Sequence, residues 1–138
     1  MSSPPPTTPD ATDDSWQYRL ALPQHAIGSG VARSTVRSIL TRHALPGLAD
    51  TAELLTSELC GTSYRYATGP ATVRVRWRDG TLHVGVQDES DVLPCPTSGG
   101  ADFEGGRGLL LVSHYAQAWG SQAAPTGAGK ITWFELSR

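Results

Sequence analysis

The stretch Ala71–Asp88 constrains the fold more than any other part of the chain. Its apolar residues alternate strictly with polar ones: Val73, Val75 and Trp77, then, beyond Arg78-Asp79-Gly80-Thr81, Leu82, Val84 and Val86. A period of two marks a strand with one buried face. Asp-Gly supplies the positive φ that a two-residue hairpin turn requires. The spacing therefore predicts an antiparallel hairpin with Thr72, Arg74, Arg76 and Arg78 on its outer face. The arginine stripe suits either a solvated sheet face or an acidic partner. A sheet buried on one side only needs a helical layer, and the rest of the chain provides one.

Trp16–Leu22 alternates Trp16, Tyr18, Leu20 and Leu22 against Gln17, Arg19 and Ala21, which predicts a further strand. From Ser29 to His43 the apolar residues Val31, Ala32, Val36, Ile39 and Leu40 fall at helical spacing, with Ser29 as a candidate N-cap and Pro46-Gly47 as a stop. Leu48, Ala52, Leu55, Leu59, Thr62 and Tyr66 line a second helix from about Leu48 to Tyr66. Glu89–Arg107 holds two Pro and four Gly with little periodicity, and aperiodic loops of this length are usually functional lids or disordered. A short helix over Gly108–Ala116 and two strands, Trp119–Ala123 and Lys130–Leu136, complete the order β-α-α-β-β-lid-α-β-β. This is an α+β chain, predicted to form a two-layer α/β sandwich with helices on one face of a mixed, mostly antiparallel sheet. Residues 1–14 hold four Pro, three Thr and three Asp with no large apolar side chain, and read as a disordered tail before a domain over 15–138.

Composition narrows function by exclusion. The 138 residues carry 11 Lys+Arg against 13 Asp+Glu, which disfavours an electrostatic nucleic-acid binder. The single Lys, Lys130, has no Walker setting, so P-loop chemistry is excluded. Cys60, Cys95 and four scattered His form no zinc spacing, and both cysteines read as reduced thiols. No apolar run is long enough for a transmembrane helix, and Met-Ser-Ser-Pro-Pro-Pro does not resemble a signal peptide. The expectation is a cytoplasmic protein without membrane or nucleic-acid partners.

Three features bear on chemistry. Gly105-Gly106-Arg107-Gly108 leads into an apolar helix; free N–H groups there suit a phosphate, and a plain flexible hinge also explains the glycines. Glu58 and Thr62 stand four apart on one helix face beside Leu55 and Leu59. Glu58 is a candidate general base or a solvated helical carboxylate. Asp88 ends an apolar strand where the loop begins, placed either to accept from a base amino group or to close an Asx turn.

Together, the run Glu58-Leu59-Cys60-Gly61-Thr62-Ser63-Tyr64-Arg65-Tyr66-Ala67, Asp88, Gly105-Gly106-Arg107-Gly108-Leu109 and Gly127-Ala128-Gly129-Lys130-Ile131-Thr132-Trp133-Phe134-Glu135-Leu136 resemble the small actinobacterial anti-sigma-factor serine kinase-like proteins. These belong to the histidine-kinase-like (GHKL) ATPase superfamily, and the likeness spans about residues 16–137. The resemblance implies the histidine-kinase-like ATPase fold, ATP and Mg²⁺ as cofactors, and serine/threonine protein kinase activity. The implied partner is a sigma factor or an anti-sigma-factor antagonist, and a homodimer is compatible with it. Glu58 matches the base, Asp88 the adenine reader, and Gly106 and Gly108 the phosphate-facing glycines flanking Arg107. Residues 89–105 match the lid. Thr62 stands where the family places its Mg²⁺-ligating Asn, Tyr66 where it has His, and Ile131 where a Thr lines the nucleotide site, with Thr132 turned to the other face of the strand. These departures raise the alternative of a pseudokinase that acts as a protein-interaction module with little or no nucleotide binding. An interaction domain that binds no nucleotide is the third reading.

Overall fold

The computed structural model describes residues 14–67, 69–90, 103–125 and 129–138, and at 66 and 103–107 it describes the backbone alone. The expected tail, the core of the expected lid and the tip of the last loop lie largely outside the described residues. The elements are β1 (Trp16–Leu22), α1 (Gly28–Arg42), a 3-10 turn (Pro46–Leu48), α2 (Ala49–Tyr66), β2 (Ala71–Arg78), β3 (Thr81–Asp88), α3 (Phe103–Tyr115), β4 (Ala118–Ala123) and β5 (Lys130–Ser137). The strands form one open sheet in the order β1-β2-β3-β5-β4. The helices pack on one face of it, giving the expected two-layer α+β sandwich.

The hairpin forms as its sequence requires. Asp79 and Gly80 both take positive φ, at 52° and 77°, and β2 pairs with β3 from Arg78↔Thr81 to Thr72↔Gln87. All four strand pairings are antiparallel, which corrects the expectation of a mixed sheet. β3 and β4 run in the same direction, but β5 lies between them and opposes both. A crossover through α3 thus ends two strands away, and the β4–β5 connection fills the gap.

Inward residues of the sheet, among them Val73, Trp77, Val84 and Phe134, meet Val36, Leu40, Leu55 and Leu59 of the helices in one core. Edge strand β1 departs from its simple alternation. Leu22 is buried, but Tyr18 is 43% exposed, its ring edge-on to Trp16 and to His43 at the end of α1. The Tyr18 hydroxyl lies 2.7 Å from His43 Nε2, and the same imidazole stacks on Trp16. Arg37 of α1 bonds to Asp50 and Glu53 of α2, and this contact holds the Glu53 carboxyl below the usual carboxylate range. The pair is exposed, so its contribution is small; it is present above the ordinary Glu pKa and fades as pH falls through the lowered value.

Both ends of α1 differ from expectation or from ideal chemistry. Ser29 does not cap the helix; it starts at Gly28 with Ile27 in the capping position and no side-chain cap. At the other end Ala44 sits at φ 62° while the Leu45 amide donates to the Leu40 carbonyl at 2.8 Å. This is a left-handed helix stop built without the usual glycine. Ala44→Gly is expected to raise stability by about 0.5–1 kcal/mol, since relief of the left-handed strain exceeds glycine's added unfolded-state entropy. A higher urea midpoint at an unchanged m-value would show it.

Cys60 is buried in the core side of α2, and burial pushes its thiol up to about 12. Because the folded value exceeds the unfolded one, this contribution to stability is complete below the unfolded thiol pKa. It declines as pH rises toward the folded value. In the native protein at about pH 8, iodoacetamide should leave Cys60 unmodified by peptide mapping, while urea exposes it to alkylation.

Candidate functional site

The C-terminal end of β3 and the N-terminal end of β5 pair Asp88 directly with Lys130. Strand alternation that sends Val84, Val86, Thr132 and Phe134 inward sends both of these charged residues inward too. The Lys130 ammonium donates to both Asp88 oxygens, at 2.8 Å and 2.9 Å. Their side chains are 5% and 3% exposed. The Ser90 amide also donates to Asp88 Oδ1 at 3.0 Å, so the carboxylate does close an Asx turn at the strand end. Among the described residues this is the one ion pair in which both partners are buried.

The pair faces α2 and α3 across a cavity of about 10 Å³. Leu59, Thr62 and Ser63 of α2, Val86 of β3, Leu109 of α3 and Thr132 of β5 line it with Asp88 and Lys130. That volume is near the minimum for one water molecule. Thr132 also shares a 3.0 Å hydrogen bond with Ser121 of β4. Three hydroxyls, one carboxylate and one ammonium therefore converge on an otherwise apolar junction. Thr132, not Ile131, is the residue that faces this site. Ile131 lies on the opposite face of β5, in the groove with Trp133 and Gly85.

Glu58 lies one turn before Thr62 on α2, beside Gly108 of α3. A Cβ added to Gly108 would lie 2.8 Å from Glu58 Oε1 and 3.7 Å from Thr62 Oγ1. Glycine at this position is what lets the Glu58 carboxylate sit against α3. Glu58 is half-buried and has no hydrogen-bond or ion-pair partner among the described residues. The fold thus brings Glu58, Thr62, Asp88 and Gly108 to one junction, with Thr62 bordering both the Glu58 contact and the Asp88 cavity.

The start of α3 corrects the expected helix boundary. The helix begins at Phe103, not Gly108, and takes in the last residues of the expected lid. Gly106, Arg107 and Gly108 are inside its first turns. In an α-helix with this start, the Gly108 amide bonds to the Glu104 carbonyl, and the free amides end by about Gly105. The side chain of Arg107 lies outside the described residues, as do 91–102 of the expected lid.

Lys130 and Ser63 are the site residues that motif reading passed over, and Thr132 is one it set apart from the site. The signal for Lys130 and Thr132 was present: they share the parity of Phe134 and Leu136, and so the buried face. For metal binding, no cluster of three His, Cys, Asp or Glu occurs among the described residues. Glu58 and Thr62 offer one carboxylate and one neutral oxygen, a donor set that suits Mg²⁺ when phosphate and water oxygens supply the remainder. No protein-family model matches this chain, and no curated protein matches it.

Proposed function

We propose that this chain is an ATP-binding regulator of the anti-sigma-factor serine/threonine kinase type, acting on a sigma factor or on an anti-sigma-factor antagonist. The observation that supports it is the convergence of Glu58, Thr62, Asp88 and Gly108, residues far apart in the sequence, on one junction of α2, α3 and the sheet. Asp88 would accept from the adenine amino group, with Ser63 and Thr132 as neighbouring hydroxyls. Gly106, Arg107 and Gly108 would lie beside the phosphates. Glu58, an unpaired carboxylate at the rim, would take the proton of the partner's Ser or Thr hydroxyl. Thr62 would contribute one oxygen to Mg²⁺, with phosphate and water oxygens completing its shell, and the ion would supply charge neutralisation at the transferred phosphate. A purine needs far more than about 10 Å³, so binding requires Lys130 to release at least one Asp88 oxygen and α3 to move outward.

One observation favours a second reading, a binding module without turnover. Lys130 occupies both Asp88 oxygens, and Thr62 offers a shorter, weaker ligand than an amide oxygen. Phosphoryl transfer from γ-labelled ATP to a confirmed antagonist protein separates the two. Under the kinase reading Glu58→Ala lowers the transfer rate about 10²–10⁴-fold and Thr62→Ala also lowers it. If the wild-type chain transfers nothing while Thr62→Asn gains Mg-ATP turnover, the pseudokinase reading holds. An unchanged rate in Glu58→Ala removes the base assignment.

A further inference from the structure

The sheet face opposite the helices carries a second constellation, independent of the junction site. Cross-strand register places Arg19 opposite Arg74 and Gln17 opposite Arg76, with Arg78 next along β2. Like charges directly opposite one another destabilise a sheet, and among the described residues nothing on this face offsets Arg19 or Arg76. Glu135 is engaged by His83 Nδ1 at 3.0 Å. Arg74 reaches only Gln87 Oε1, at 3.4 Å, and its buried Nε has no acceptor. Gly85, between Arg74 on β2 and Trp133 on β5, leaves a gap in the middle of the face. The result is a groove of about 320 Å³ walled by guanidinium groups on one side and by Trp133 and Ile131 on the other.

We infer that this groove docks an acidic, extended segment of a partner protein. Arg74 and Arg76 line the groove, and Arg78 continues the same strand face beyond its end, at every second residue, about 7 Å apart. An extended segment with Asp or Glu at alternate positions presents carboxylates at the same interval, and each guanidinium can take one in a charge-assisted pair. A nucleic-acid strand is the less suitable occupant, because it binds by stacking bases on open aromatic faces and the indole of Trp133 already stacks on His83 at 5.3 Å.

The test uses the full chain and two fluorescent decapeptides of equal composition, one with alternating Glu and Ser, the other with its glutamates in a block. Anisotropy should show the alternating peptide binding about tenfold more tightly, with affinity falling as salt rises. Arg76→Glu, at an exposed position that leaves the thermal midpoint unchanged, should weaken it a further tenfold or more, and Arg74→Glu/Arg76→Glu should abolish it. Equal binding of the two peptides, no binding of either, or indifference to Arg76→Glu overturns the assignment. So does tighter binding of a single-stranded oligonucleotide, a dimer that Arg76→Glu dissociates, or peptide binding seen only after removal of residues 1–13, which carry Asp10 and Asp13.

Discussion

Lys130→Met is expected to lower the stability of the fold by about 3–5 kcal/mol, the usual cost of leaving one member of a buried ion pair uncompensated. The Asp88 carboxylate would keep the Ser90 amide, at 3.0 Å, as its remaining donor, with only neutral hydroxyls and apolar side chains around it. The loss should not come from packing, because methionine retains most of the lysine stem's volume. Asp88→Asn/Lys130→Met removes the buried charge altogether and should recover a large part of the stability, since neutral replacements of buried pairs are often tolerated. Urea denaturation of the two singles and the double gives the coupling energy directly. A double variant as unstable as the sum of the singles would mean the two side chains act independently, against the geometry of the pair.

Gly129→Ala is the second large effect, at about 2–4 kcal/mol. Gly129 has φ 84°, and a Cβ there would run into the Asp88 carbonyl oxygen and lie 3.2 Å from Glu89 Cα. Both obstacles are backbone, so no side chain can yield. Gly129→Asn distinguishes the two contributions. Asn tolerates the left-handed region but still carries a Cβ, so this variant should remain clearly destabilised. If Gly129→Asn is nearly neutral, only the backbone dihedral matters and the close approach of β3 to the start of β5 is looser than described. The same approach holds Asp88 within reach of Lys130, so thermal scans of both variants also report on the junction.

Much of the fold was legible because two periods carried it. The alternation over Ala71–Asp88 and the Asp79-Gly80 turn specified the hairpin, and the 3.6-residue spacing from Leu48 onward specified α2, whose buried Ala52, Leu55 and Leu59 are as that spacing requires. The misread boundaries have physical causes. Gly105 and Gly106 have poor helix propensity, so α3 was expected to start only at Gly108. Tertiary packing, with Gly108 fitted against Glu58, outweighs that preference. Ser29 has capping chemistry, but the chain enters α1 through Gly28, whose amide bonds to the His25 carbonyl at 2.9 Å and leaves no role for the hydroxyl. A mixed sheet was expected, and no local pattern shows that β5 inserts between β3 and β4 and makes every pairing among the described residues antiparallel.

The candidate site was legible residue by residue but not as a whole. Glu58, Thr62 and Asp88 stand out by type and position. Lys130 did not, because a lone lysine was weighed for the motif it lacked and not for the strand face it occupies. Strand alternation does set Thr132 on the face opposite Ile131, and it is Thr132, with Phe134 and Leu136, that turns to the helices and the junction. Motifs identify chemistry, whereas strand parity decides which chemistry meets.

The proposed function requires the junction around Asp88 to open and bind ATP. The most direct measurement is the thermal midpoint of the purified chain with ATP, with and without Mg²⁺, against GTP. At about 100 times its dissociation constant a ligand adds about 2.7 kcal/mol, several degrees for a domain of this size. An ATP-selective rise that Mg²⁺ enlarges is expected. No shift at millimolar ATP, or an equal shift with GTP, would contradict it.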